Sequence, residues 1–261
     1  MKAVRKRSNP PAGGYIREVQ FDWDRAPRAA YPFDLPALRE LESLELHPGV
    51  TFLVGENGSG KSTLIEAIAV AWGFNPEGGS QNFRFGTRDS HSRLADCLTL
   101  VKSTDRPGDG FFLRAESFFN VATEIENLDR DGVGPRIIDS YGGRSLHEQS
   151  HGESFLALLA NRFRGGALYV LDEPEAALSP TRQMAALARI HQLVSLGSQF
   201  IIATHSPILM AYPGALIYEL STHGTRPVEY TETEHYLITR QFLGNPERML
   251  SILLAGSTPA E

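Results

Sequence analysis

Apolar residues in this chain gather into short continuous runs separated by Gly-, Pro- and Asn-rich punctuation, which is how buried strands and helices alternate along a covered sheet. Residues 50–54 (VTFLV), 167–171 (ALYVL) and 200–203 (FIIA) are apolar at almost every position and rich in β-branched or aromatic types, so each predicts a strand buried on both faces. Residues 215–220 (ALIYEL) add another strand. Residues 15–23 (YIREVQFDW) alternate instead, which predicts a first strand with one face in water, and 41–46 (LESLEL) predict a second that ends at His47-Pro48-Gly49. Residues 97–101 and 111–114 read as two further strands, with 105–110 (DRPGDG) as a hairpin turn between them.

Helical signals fill the intervals. Residues 62–72 (STLIEAIAVAW) are apolar on all sides, as in a fully buried helix; 117–129 (SFFNVATEIENLD) and 155–163 are also helical, the latter stopped by Gly165-Gly166. Ser179 caps and Pro180 starts a helix that carries Met184, Leu187, Ile190, Leu193 and Val194 on one face and stops at Gly197. Residues 232–254 predict one or two terminal helices. Residues 25–36, 73–93 and 132–144 are loop-like, and 73–93 is long enough to suggest a functional loop. The order of elements predicts an α/β fold, a mixed sheet flanked by helices with a small helical lobe at about 117–163.

Composition narrows this further. The 261 residues, with 41% hydrophobic and 21% charged, suit a single large domain over 15–255 between a basic flexible N-terminus (1–14) and a short tail (256–261). No apolar run approaches a membrane span, so direct membrane insertion is not expected. Lys2, Arg5, Lys6 and Arg7 are not followed by an apolar stretch, so the expected location is the cytoplasm. Cys97 is the sole cysteine, which excludes disulfides and thiolate metal sites within one chain. A net charge of −6 argues against a surface that coats nucleic acid, though a local basic patch is compatible with it.

The chemistry concentrates in four places. Gly55, Glu56, Asn57, Gly58, Ser59, Gly60, Lys61, Ser62 and Thr63 match the phosphate-loop pattern G-x-x-x-x-G-K-[ST] between a predicted strand and a predicted helix. The glycines let main-chain N–H groups approach phosphate oxygens, and the helix N-terminus adds partial positive charge. Lys61 is expected on the β- and γ-phosphates, Ser62 on Mg²⁺ and Thr63 near the α-phosphate, so ATP and Mg²⁺ are the expected cofactors. Asp172 and Glu173 lie at the C-terminal end of a predicted strand, where open α/β sheets bind ligands. Asp172 suits Mg²⁺ and Glu173 suits a general base for an attacking water. His205, at the end of a neighbouring strand, suits a hydrogen bond to the γ-phosphate and that water. Phe21, Trp23, Tyr31 and Phe33 include the candidates for stacking on adenine.

These residues, together with Ser150-His151-Gly152-Glu153, Leu171-Asp172-Glu173-Pro174-Glu175-Ala176-Ala177-Leu178 and Ala203-Thr204-His205-Ser206-Pro207, give the chain a resemblance to the ATP-binding-cassette ATPases over residues 15–220. Within them it looks like the compact, stand-alone AAA-family ATPases related to SMC, recombination-mediator and overcoming-lysogenization-defect proteins, without a coiled coil. The resemblance implies a phosphate-loop fold of cassette type, ATP hydrolysis and head-to-tail dimerisation on ATP. Ser150, Gly152 and Glu153 would then meet the γ-phosphate held by the other copy. Ser150 and Glu153 equally fit a capping box that needs no ligand. Three departures stand out: the signature reads Q-S-H-G-E rather than the L-S-G-G-Q of transporters, Ser179 replaces an expected Asp, and the Q-loop residue is open between Gln81 and Glu116, either a Mg²⁺ or water contact. Arg84 and Arg88 are further candidates for nucleotide or partner contact. The branch implies a DNA-related or defence role with a nucleic-acid or protein partner; a transporter nucleotide-binding subunit is the alternative.

A competing pattern, His147-Glu148-Gln149-Ser150-His151, matches the H-E-x-x-H of zinc peptidases. It requires one helical turn from His147 to His151, yet Gly142-Gly143 and Gly152 flank the stretch and Ala157 occupies the third-ligand position of the metzincins.

Overall fold

The computed structural model describes residues 14–81, 93–116, 118–131 and 136–255. Its elements in chain order are β1 (Ile16–Phe21), β2 (Ser43–Glu45), β3 (Val50–Val54), α1 (Lys61–Trp72), β4 (Leu98–Lys102), β5 (Asp109–Arg114), α2 (Phe118–Asp131), α3 (His151–Ala157), β6 (Ala167–Asp172), α4 (Pro180–Ser195), β7 (Gln199–Ala203), α5 (Pro207–Met210), β8 (Leu216–Ser221), β9 (Gly224–Pro227), α6 (Glu234–Gly244) and α7 (Pro246–Leu254). Two sheets result. A small antiparallel one has the order β2-β1-β4, and a larger one runs β5-β6-β7-β3-β8-β9, parallel throughout except for antiparallel β9.

The continuous apolar runs occupy the middle of the larger sheet, where β3, β6 and β7 are buried at every position. Side chains alternate across it with the two-residue period of a strand. Val50, Phe52, Tyr169, Leu171, Phe200 and Ile202 face one core with Ile190 and Leu193 of α4. Leu53, Leu168, Val170, Ile201 and Ala203 face the other with α1. The small sheet closes that second core from outside, Ile16 and Val19 joining Leu64, Ile65 and Ile68 in it. Enclosed between two sheets, α1 buries every residue from Leu64 to Ala69, which is why 62–72 lacks an amphipathic stripe. The polar exception, Glu66, is paired with Arg114 at 2.9 Å.

The two sheets are tied by a buried amide. Oε1 of Gln199 accepts from the N–H of Tyr15 at 2.7 Å and of Ile16 at 3.0 Å, while its Nε2 donates to the carbonyls of Ile16 at 2.7 Å and His47 at 3.0 Å.

The expected hairpin of 97–101 with 111–114 does not form. β4 pairs with β1, Leu100 opposite Val19, and β5 pairs in parallel with β6, Phe111 opposite Tyr169, so the intervening turn carries the chain from one sheet to the other. Burial explains the separation: Gly110 to Leu113 is buried throughout and needs cover on both faces, whereas β4 is only half covered. The helix expected at 155–163 is also redrawn. α3 starts earlier, at His151, and is followed by a π-helical turn, Leu158–Arg162. Val121, Ile125, Tyr141, Leu158 and Phe163 from this helical region join Phe111 and Tyr169 in one core.

Candidate functional site

The site forms where β3, β6 and β7 end on the same side of the sheet. Past Val54 the chain turns through Gly55 and Gly60, with φ of +143° and +99°. A Cβ on Gly55 would stand 2.1 Å from the Leu220 carbonyl, so the turn requires glycine on steric as well as conformational grounds. The loop delivers Lys61 as the first residue of α1. Its Nζ donates to the carbonyls of Gly55 and Glu56, each at 2.9 Å. Burial lowers the Lys61 pKa, and the charges of Glu173 and Asp172 act against that shift. Ser59 Oγ, in the same loop, is buried without a hydrogen-bond partner among the described residues.

Across from the loop, Asp172 ends β6, in register with Arg114 of β5 and Ala203 of β7. Ser62 Oγ donates to Asp172 Oδ1 at 3.1 Å. Burial pushes the Asp172 carboxyl up to about 7, with the nearby Arg114 guanidinium opposing it. Glu173 has φ of +50° and is the one non-glycine residue with positive φ among the described residues, held there by its N–H to Ala203 O at 2.9 Å. Its Oε1 lies 3.4 Å from His205 Nε2. The His205 backbone N–H donates to Glu175 Oε1 at 2.5 Å, and its Nδ1 is 3.0 Å from His235 Nε2.

Two cavities meet at Glu173. The smaller, about 230 Å³, is lined by Tyr31, Asn57, Lys61, Ser62, Thr63 and Glu173. The larger, about 540 Å³, is lined by Ser150, Gly152, Phe155, Glu173, Ala177 and Arg182. Ser150 and Gly152 therefore border Glu173 but not the cavity holding Lys61. Both arms of the capping box are made: Glu153 N–H donates to Ser150 Oγ at 3.4 Å, and Ser150 N–H donates to Glu153 Oε2 at 3.0 Å. Gly152 is buried against the loop after β6, where a Cβ would come within 2.5 Å of the Ala177 carbonyl. Ser179 caps α4, its side chain accepting from Arg182 N–H at 3.4 Å.

Of the adenine-stacking candidates, Phe33 is buried, and Phe21 and Trp23 stack on each other at 5.8 Å. Tyr31 is 69% exposed and its hydroxyl is 2.8 Å from Thr63 Oγ1. Glu116 is exposed and sits 3.5 Å from Arg114 Nη2, and its charge helps raise the Asp172 pKa. Gln81 is exposed beyond the end of α1, and neither it nor Glu116 hydrogen-bonds to Ser62 or Asp172. Arg84 and Arg88 lie outside the described residues. The H-E-x-x-H reading fails: a 3-10 turn covers Leu146–Glu148, Gln149 and Ser150 are extended, and α3 begins at His151, so His147 and His151 share no helical turn. Among the described residues no cluster of three or more His, Cys, Asp or Glu is arranged to hold a metal ion. Arg114 and His235 were not foreseen; a charge closing a buried strand marks the first, and nothing in local spacing marks the second.

The family profile described as "AAA domain" matches residues 33–116, and the one described as "AAA domain, putative AbiEii toxin, Type IV TA system" matches 118–211. The chain is 30% identical over 203 residues to the cobalt import ATP-binding protein CbiO of Salmonella paratyphi A, covering 72% of this chain and 70% of that protein. It is 28% identical over 200 residues to the pyoverdine export ATP-binding/permease protein PvdT of Pseudomonas entomophila, covering 68% of this chain and 30% of that one. In several curated relatives of this second kind the matched region spans only about a quarter to a third of the whole length. Among solved structures, the SMC head domain from Thermotoga maritima aligns at 16% identity with a TM-score of 0.42, over 82% of this chain and 98% of that one. A dimeric bacterial ABC transporter cassette aligns at 16% identity and a TM-score of 0.43, over 72% of this chain and 88% of that one. Among the described residues no helix is long and apolar enough to cross a membrane.

Proposed function

The chain belongs to the ATP-binding-cassette type of AAA ATPases, enzymes that bind and hydrolyse ATP, and from that premise we propose that two copies close head to tail on ATP and act as a conformational switch. The loop from Gly55 to Thr63 cradles the phosphates, Lys61 reaching the β- and γ-phosphates and Tyr31 stacking on the adenine. Ser62 and Asp172 hold Mg²⁺. The donor set fits: two oxygen ligands already converge at 3.1 Å, and a carboxyl strained by burial gains from a cation beside it. When bound, Mg²⁺ would supply neutralisation of phosphate charge.

Glu173 takes a proton from the water that attacks the γ-phosphorus, and His205 orients the water and phosphate. Ser150, Gly152 and Glu153 of the second copy complete the pocket, with the N-terminus of α3 facing the γ-phosphate. The observation that carries this reading is that Ser62 and Glu173 line the phosphate-loop cavity together with Lys61, with Asp172 hydrogen-bonded to the first and His205 beside the second. Glu116 is the stronger of the two Q-loop candidates, because its charge acts on Asp172.

The test is Glu173→Gln. With ATP and Mg²⁺ it is expected to run as a dimer by size-exclusion light scattering and to lose at least about a hundredfold in single-turnover hydrolysis. Unchanged turnover would remove Glu173 as the base, and a monomer with bound ATP would remove the dimer.

A nucleic-acid or protein partner in a DNA-related or defence process, in the cytoplasm, remains our reading of what the switch moves. The import and export proteins among the relatives favour a second reading, a cassette that drives a membrane partner. Affinity capture with the ATP-trapped Glu173→Gln form distinguishes them: an integral membrane protein supports the second reading, DNA or a DNA-bound protein the first.

A further inference from the structure

We propose that His235, on α6, is a positioning residue of the hydrolytic site, whose Nε2–H donates to Nδ1 of His205 and so keeps the His205 proton on Nε2. The inference rests on the reading above that His205 faces the γ-phosphate. Two ring nitrogens 3.0 Å apart form a hydrogen bond only when one of them carries the proton. If His205 were the donor, its Nε2 would be a bare lone pair 3.4 Å from a Glu173 carboxylate oxygen, with nothing to offer an anionic phosphate. With His235 as donor, the proton stays on His205 Nε2, a buried atom that has no hydrogen-bond partner among the described residues and lies 3.4 Å from Glu173 Oε1.

Two further observations agree with this assignment. His235 Nδ1 is buried with no hydrogen-bond partner among the described residues, so no acceptor draws the His235 proton to that side. Burial also lowers the pKa of both imidazoles, which keeps the pair neutral and leaves one proton on each ring.

The surroundings hold His235 in place. Thr233, fully buried, donates to Tyr230 O at 2.9 Å and accepts from Tyr236 N–H at 3.4 Å, while Glu234 N–H donates to Glu219 Oε1 of β8 at 3.2 Å. The first turn of α6 is thus fastened to β8 of the larger sheet. His205 is already tied through its backbone to Glu175, so rotation of its ring is the freedom that His235 removes. A tautomer fixed by the hydrogen bond on the far ring nitrogen is the usual way a histidine is made a dependable donor.

The experiment compares His235→Leu, His235→Gln and His205→Ala for kcat, KM for ATP, equilibrium ATP affinity and thermal midpoint. His235→Leu is expected to lower kcat about 10- to 50-fold while ATP affinity stays within about twofold, because it removes a donor and not a nucleotide contact. His235→Gln, which offers an amide N–H near the place of Nε2, is expected to recover to within about threefold of the native rate. Native turnover in His235→Leu, or equal loss in both His235 variants, overturns the proposal. Should His235→Leu not fold, nitrogen-15 spectra of the native protein decide: both rings in the Nε2–H tautomer support it, and an Nδ1–H on His205 overturns it. Unchanged turnover in His205→Ala removes the role of His205 and the proposal with it, whereas loss in His205→Ala with native turnover in His235→Leu overturns the proposal alone.

Discussion

Asp172 and Glu173 are adjacent yet bear different burdens, one of burial and one of backbone geometry. Glu173 sits in the left-handed region at φ +50°, a conformation that costs a non-glycine residue about 1–3 kcal/mol and that turns its carboxylate toward both cavities. Asp172 is held at about 7 by burial. In the protein alone, the folded state therefore keeps a proton there that the unfolded chain loses near pH 4, so this carboxyl's contribution to stability falls as pH rises from about 4 to about 7 and is flat above. Asp172→Asn is expected to abolish hydrolysis and to gain stability over the native chain across that window, by about 1–4 kcal/mol at pH 8 relative to pH 4.5 in urea unfolding. An unchanged difference between the two pH values would count against the burial account. Single residues were legible in the sequence where their partners were local: the spacing of Gly55, Gly60 and Lys61 alone places them on one turn. Tyr31 could not be separated from Phe21, Trp23 and Phe33, because what distinguishes it is exposure and a bond to Thr63, both products of the folded chain.

Elements were legible according to how far their burial is decided by their own residues. β3, β6 and β7 are apolar on both faces and can go nowhere but the centre of a covered sheet. β4 and β5 show the opposite case, since the turn residues between them announce a change of direction but do not say which sheet each strand joins. Gln199 is the side chain that carries most of the polar joint between the sheets, satisfying two N–H groups and two carbonyls, while Tyr15 Oη adds a bond to Gly197 O at 2.9 Å. Gln199→Leu keeps the volume and strands four backbone groups, at an expected cost of about 2–5 kcal/mol in unfolding free energy. A loss under about 0.5 kcal/mol would mean that these groups find other partners. The capping box at the start of α3 is stable without any ligand, so Ser150 and Glu153 hold the helix N-terminus in shape before nucleotide arrives.

At the scale of the molecule, the capping-box cavity and the phosphate-loop cavity share Glu173 among their lining residues, and the proposed closure has the second copy's Ser150 rather than the chain's own complete the pocket. Mixing Lys61→Ala with Ser150→Arg tests this. Each variant is expected to be inactive by itself, and the mixture to recover up to about a quarter of native ATPase, because half the dimers then hold one intact composite site. A mixture no more active than the sum of its parts would argue for sites complete within one chain. The proposed dimer closure has no signal in composition or periodicity; it comes from the resemblance of four motifs. One feature of the architecture reaches beyond the active site. Because α1 is enclosed between the two sheets, its amides from Leu64 to Ala69 meet water only when the sheets part, and they should be among the slowest to exchange hydrogen, opening with the free energy of global unfolding. Since α1 begins at Lys61, no form in which α1 has unfolded keeps a working nucleotide site, and ATP is expected to slow the exchange of these amides by the same factor at every one of them.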